Sequence, residues 1–89
     1  MKVCYEASFE KDLKKIDDQK IFDRIRELID IVKFSESISD LKNVKKLHGA
    51  RNFYRIRIAD YRIGFEYLDD TVVFVRALHR KDIYKNFPK

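Results

Sequence analysis

The chain has no tryptophan, one cysteine, one proline and only two glycines among its 89 residues. So few glycines and prolines leave little room for long irregular loops. Cys4 has no partner for a disulfide and no companion thiolate for a metal, which fits a reducing compartment. No apolar run approaches the roughly 20 residues that cross a bilayer, and the opening MKVCYEASFEKDLKKI meets charges too early for a secretory signal. A soluble, cytoplasmic protein without a membrane partner is therefore expected. Also missing are a P-loop, a Gly-rich dinucleotide turn, a serine or cysteine nucleophile signature, and acidic residues at metal-ligand spacing. His48 and His79 are lone histidines far apart in sequence. Neither a metal nor a cofactor is expected.

What is present is charge and apolar surface together, 39% charged and 45% hydrophobic residues, the composition of a folded chain. Residues 1–89 suffice for a single domain with one modest core. Twenty Lys and Arg against fifteen Asp and Glu give a net charge of +5, which favours an anionic partner such as nucleic acid or an acidic protein segment.

Residues 2–7 alternate Val3, Tyr5 and Ala7 against Lys2, Cys4 and Glu6, a first strand. Ser8 then reads as the N-cap of a short helix carrying Phe9, Leu13 and Ile16, with Asp17 or Asp18 capping the next. In that second helix Ile21, Ile25, Leu28, Ile29 and Val32 follow a 3.6-residue period, while Asp23, Arg24, Glu27, Asp30 and Lys33 take the solvent side. SESISD, residues 35–40, reads as a loop. FYRIRIA, DYRIGFEYL and TVVFVRALHR follow as strands of an antiparallel meander, with a turn at Leu68, Asp69 and Asp70. Val72 to Val75 lacks alternation, so its strand is expected to be covered on both faces and to pair with the first. KDIYKNF suits a short last helix stopped by Pro88. The expected class is α+β: β-α-α-β-β-β, the meander packed on two N-terminal helices, and a short tail helix.

The arginines of the hairpin stand out because arginine is not a favoured strand residue. By period two, Tyr54, Ile56 and Ile58 point one way and Phe53, Arg55 and Arg57 the other. Tyr61, Ile63, Phe65 and Tyr67 likewise oppose Asp60, Arg62, Gly64 and Glu66. Arg55, Arg57 and Arg62 thus share one face of neighbouring strands, where like charges repel unless something anionic sits among them. Alternatively, their stems cover the sheet while Asp60 and Glu66 neutralise the heads. His79, Arg80 and Tyr84 lie where they would close one side of the cluster. Preorganised guanidinium groups suit phosphodiester cleavage, in which a ribose 2′-hydroxyl attacks its own 3′-phosphate and charge builds on the phosphoryl oxygens. Lys45, Lys46 and His48, just before the hairpin, read as a basic turn able to contact RNA.

The pieces KLHGARNFYRIRIADYRIGFEY and VVFVRALHRKDIY, in this order, resemble the RelE/ParE superfamily of small toxins from type II toxin–antitoxin systems. The resemblance covers nearly the whole chain. In the RelE branch it implies a ribosome-dependent, metal-independent endoribonuclease that cuts messenger RNA in the decoding site, silenced by a cognate antitoxin. Operator DNA would be reached through the antitoxin complex. Arg57 and Arg62 then hold the scissile phosphate, Arg80 acts near the leaving oxygen, Tyr84 stacks on a base, and Arg55 binds RNA. Arg55 stands where founding members often carry lysine. Relatives use glutamate or histidine as general base, and His79, the only histidine near the cluster, takes that role here. The ParE branch implies instead a gyrase inhibitor that cleaves nothing.

Overall fold

The computed structural model describes residues 1–47 and 52–88. Its elements run β1 (Lys2–Tyr5), α1 (Ala7–Lys14), α2 (Gln19–Phe34), a 3-10 turn (Ile38–Asp40), β2 (Val44–Lys46), β3 (Phe53–Ile58), β4 (Tyr61–Leu68), β5 (Thr71–His79) and α3 (Ile83–Asn86). The sheet has the order β1-β5-β4-β3-β2. β5 pairs with β1 as expected, in parallel, and the other pairings are antiparallel.

Two local expectations need correction. The N-cap of α1 is Glu6, and it makes no side-chain cap bond. The Ser8 hydroxyl instead donates to the Val75 carbonyl at 2.6 Å, tying α1 to β5. Lys45 and Lys46 are not a turn but part of β2, an edge strand of three residues paired with β3. Its register sets Lys45 opposite Arg55 and Lys46 opposite Tyr54, so the two lysines face opposite sides of the sheet. Asp18 caps α2 through the backbone N–H groups of Lys20 and Ile21.

The helix side of the sheet holds the main core. Phe9, Ile21, Ile25 and Val32 from the helices meet Ile56, Ile58, Ile63, Phe65, Val72 and Phe74 from the strands. The period-two assignment of the hairpin therefore holds. Each fully buried large side chain contributes about 1.5–3 kcal/mol. One ion pair is enclosed as well. Asp12 of α1 is 4% exposed and takes the Arg76 guanidinium at 2.8 and 3.2 Å, while the Ala77 N–H donates to it at 2.9 Å. The hydrogen bond to Asp12 raises the Arg76 pKa, against the effect of burial.

The other side is not bare. Leu47, Ile83 and Phe87 form a second cluster with Phe53, Val75 and Leu78, so α3 covers part of the face that carries the arginines. Gly64 makes this docking possible, because a Cβ at that position would meet the Phe87 ring at 2.7 Å. The register of β4 and β5 shifts between Gly64 and Phe65, beneath the same ring.

Candidate functional site

β3 and β4 set the site. In their register Arg57 lies directly opposite Arg62, and Arg55 opposite Gly64. Ala59, in the turn between the strands, has φ of 51°, a left-handed conformation costing a non-glycine residue about 1 kcal/mol. Its carbonyl accepts a hydrogen bond from Arg62 Nη1 at 3.0 Å, and the Tyr61 carbonyl accepts another at 3.0 Å. The Arg62 guanidinium is thus anchored by backbone rather than by a carboxylate. Burial, followed by the nearby charges of Arg55, Arg57 and Arg80, lowers its pKa from the ordinary arginine value; Tyr84 acts in the opposite sense.

Arg80 follows β5 and crosses back over the turn. Its N–H donates to the Asp60 carbonyl at 2.7 Å, and its Nε stands 3.9 Å from Asp60 Oδ1. Both side chains are well exposed, so this pair screens the cluster only weakly. Tyr84 enters from α3: its phenol oxygen accepts from Arg55 Nε at 3.2 Å. Arg55 also reaches toward the Asn43 carbonyl at 3.5 Å. An open depression of about 470 Å³ results, lined by Arg24, Asn43, Arg57, Ala59, Asp60, Arg62 and Arg80.

Arg55, Arg57, Arg62, Arg80 and Tyr84 are therefore gathered on one surface, the first three by strand alternation. His79 is not with them. It pairs with Tyr61, whereas Leu78 pairs with Arg62, so the His79 imidazole points to the helix side of the sheet. There its ring meets Tyr61 edge-on at 5.7 Å, and Nδ1 accepts the Lys81 N–H at 3.2 Å. Its expected role as a base near the arginines is corrected accordingly. Lys46 also leaves the site, its ammonium lying 6.0 Å from the centre of the Tyr54 ring. Lys45 stays, bordering a shallow hollow with Asn43, Arg55 and Arg57. His48 lies outside the described residues.

Sequence reasoning missed Arg24 and Asn43 in the depression's wall. Arg24 was assigned to the solvent side of α2 yet faces Arg57, Arg62 and Arg80 across the opening. Asn43, with φ of 62°, places its carbonyl at the rim, a position signalled only by asparagine's tolerance of left-handed backbone. Asp60 is the one carboxylate among the lining residues.

A two-helix layer on a twisted sheet, with an arginine-rich hairpin facing away from it, defines the RelE-like class of small α+β domains. The chain matches, over residues 3–84, the family described as ParE toxin of type II toxin-antitoxin system, parDE, and belongs to that family. It is 47% identical over 89 residues to Toxin RelE3 of Methanocaldococcus jannaschii, covering 99% of this chain and 100% of that protein. The toxin in the crystal structure of the RelB-RelE antitoxin-toxin complex from Methanococcus jannaschii superposes with a TM-score of 0.83 at 43% identity, covering 96% of this chain and 99% of that one. The isolated E. coli RelE toxin shares the fold, with a TM-score of 0.66 at 14% identity over 88% of this chain and 82% of that one.

Proposed function

We propose that this chain is the toxin of a type II toxin–antitoxin pair and acts as a ribosome-dependent, metal-independent endoribonuclease on messenger RNA in the decoding site. One observation carries the reading. Arg57 and Arg62 are paired across β3 and β4 and share a depression with Arg80, with one exposed carboxylate among them. Guanidinium groups fixed in this way stabilise the charge that develops on a phosphoryl group, and no Lewis acid is then needed to do so.

In the reaction the 2′-oxygen forms a bond to the adjacent phosphorus, the bond from phosphorus to the 5′-oxygen breaks, and a 2′,3′-cyclic phosphate and a 5′-hydroxyl result. The 2′-hydroxyl gives up its proton and the departing 5′-oxygen gains one. Arg57 and Arg62 hold the non-bridging oxygens and Arg80 steadies the departing one. Tyr84 offers its ring to a base, and its bond to Arg55 fixes where that ring stands. Arg55 and Lys45 hold the RNA on either side. The likeness to the RelB-RelE complex supports a cognate antitoxin as partner, and that antitoxin silences the toxin by covering these cations. The protein works in the cytoplasm, where ribosomes are.

Primer extension on messenger RNA in a purified translation system tests this, with the protein, without it, and with Arg80→Ala. Cuts inside the decoding site are expected only with ribosomes and the unmutated protein. An uncut message in every lane overturns the nuclease reading. Gyrase inhibition, the ParE-like alternative, is then the reading to test, read out as loss of supercoiling.

A further inference from the structure

We infer that Arg24 of α2 is a ligand for a second RNA phosphate, the one next to the scissile phosphate, so that the RNA runs from the hairpin across to α2. The inference rests on the nuclease reading and extends its site to an element which that reading does not use.

Charge within the depression is the first argument. Four guanidinium groups, Arg24, Arg57, Arg62 and Arg80, face one carboxylate, Asp60, which leaves the lining with a net charge of +3. A single phosphodiester carries one negative charge. The surplus is therefore matched by more than one phosphate, as along a strand of RNA.

The position of Arg24 is the second. On α2, Arg24, Glu27, Leu28 and Ile31 stand at i, i+3, i+4 and i+7 and form one ridge. That ridge walls a cleft of about 310 Å³ against Ile56, Arg57 and Ile58 of β3. Arg24 and Arg57 border both this cleft and the arginine depression, so the two hollows are continuous at these residues. Glu27, one turn on, is the obvious partner for Arg24, yet no ion pair joins them; among the described residues the ion pairs are Arg76 with Asp12 and Arg80 with Asp60. Arg24 thus presents its charge to the depression, and the aliphatic floor beyond it offers a surface for the ribose and base that follow.

Arg24 is exposed and outside the core, so its removal leaves the fold intact. Arg26, exposed on the same helix and absent from the depression, supplies a control with the same change in net charge. Fluorescence anisotropy is measured on a labelled single-stranded RNA made uncleavable by 2′-deoxy substitution, over a range of salt concentrations. For Arg24→Ala the slope of log affinity against log salt should become shallower by about 0.7, the value for one phosphate contact to a single strand. Arg26→Ala should keep the slope of the unmutated protein. Equal losses from both variants, or none from Arg24→Ala, overturn the proposal. So does weakened binding of poly-glutamate by Arg24→Ala with RNA binding unchanged, which assigns Arg24 to an acidic protein partner.

The primer-extension assay separates this failure from that of the nuclease reading. If the unmutated protein cuts and Arg24→Ala cuts equally well, Arg24 is not a ligand and the nuclease reading stands. If the unmutated protein cuts nothing, the nuclease reading falls and takes the scissile-site assignment of Arg24 with it.

Discussion

Two arginine settings in this chain handle charge in opposite ways. Beside α1, Arg76 is 16% exposed and held by Asp12 through two side-chain hydrogen bonds, with the Ala77 N–H as a third anchor on the carboxylate. In the depression, Arg57 stands directly across from Arg62, and the nearest acid, Asp60, approaches Arg80 only to 3.9 Å. The same residue type is neutralised where it joins α1 to β5 and left in excess where the depression opens. Partnering, rather than arginine content, separates the two settings.

The largest effect should come from breaking the satisfied pair. Asp12→Ala leaves Arg76 without its counter-charge and should lower stability by about 3–5 kcal/mol in denaturant titration. In the depression the expectation reverses. Arg57→Ala should keep or slightly raise the melting temperature by relieving repulsion, while on the proposed nuclease function ribosome-dependent cleavage should fall about 10²- to 10³-fold. Between the two lies Gly64→Ala, which drives a methyl group into the Phe87 ring and should cost about 1–3 kcal/mol. Because Phe87 seats α3, the same change should disturb the Tyr84 contact with Arg55 and depress cleavage beyond what the stability loss explains.

A smaller effect sharpens the comparison without mutation. Arg62 has a lowered pKa, so the folded state disfavours its charge. A base shifted down in this way loses its proton earlier when folded, and the cost is fully present at neutral pH and fades only as the pH rises through the lowered value, far into the alkaline range. An anion in the depression offsets that cost. Phosphate at about five times its dissociation constant should add about 1 kcal/mol and raise the melting temperature by about 4–8 °C over chloride of equal ionic strength. Arg57→Ala should shrink this gain. The smallest signal concerns Tyr67, raised above the usual tyrosine range by desolvation and by Asp70, whose Oδ1 lies 3.3 Å from the phenol oxygen. Its contribution to stability is present below the ordinary tyrosine pKa and is lost as pH rises through the raised value. In an ultraviolet absorbance titration, Asp70→Asn should move one late-ionising tyrosine to lower pH.

The arginine cluster was legible because a strand has a period of two and a two-residue turn leaves no slack in register; Arg55, Arg57 and Arg62 had nowhere else to go. The caps and strands that escaped notice depend on distant partners. Three residues of β2 carry too little pattern to announce a strand, and only pairing with β3 makes them one. Ser8 has the chemistry of an N-cap, but Val75, 67 residues away, offers its hydroxyl a half-buried carbonyl. The bond between Asp12 and Arg76 spans 64 residues, and neither member was marked by its neighbours in sequence. His79 shows the limit from the other direction. Being adjacent to Arg80 in sequence suggested proximity in the site, and alternation along β5 carried its ring to the far face.

The parallel pairing of β1 with β5 has a consequence for biogenesis. Lys2 to Tyr5 are hydrogen-bonded to Thr71 to Phe74, so the first strand synthesised waits for the last one before it has a partner. Contacts this distant in sequence form late and slow the closing of a sheet. A growing chain that has already released α1 and α2 still lacks the strand that leads into Arg80. The full set of arginines therefore assembles only after β5 has been made and the sheet can close.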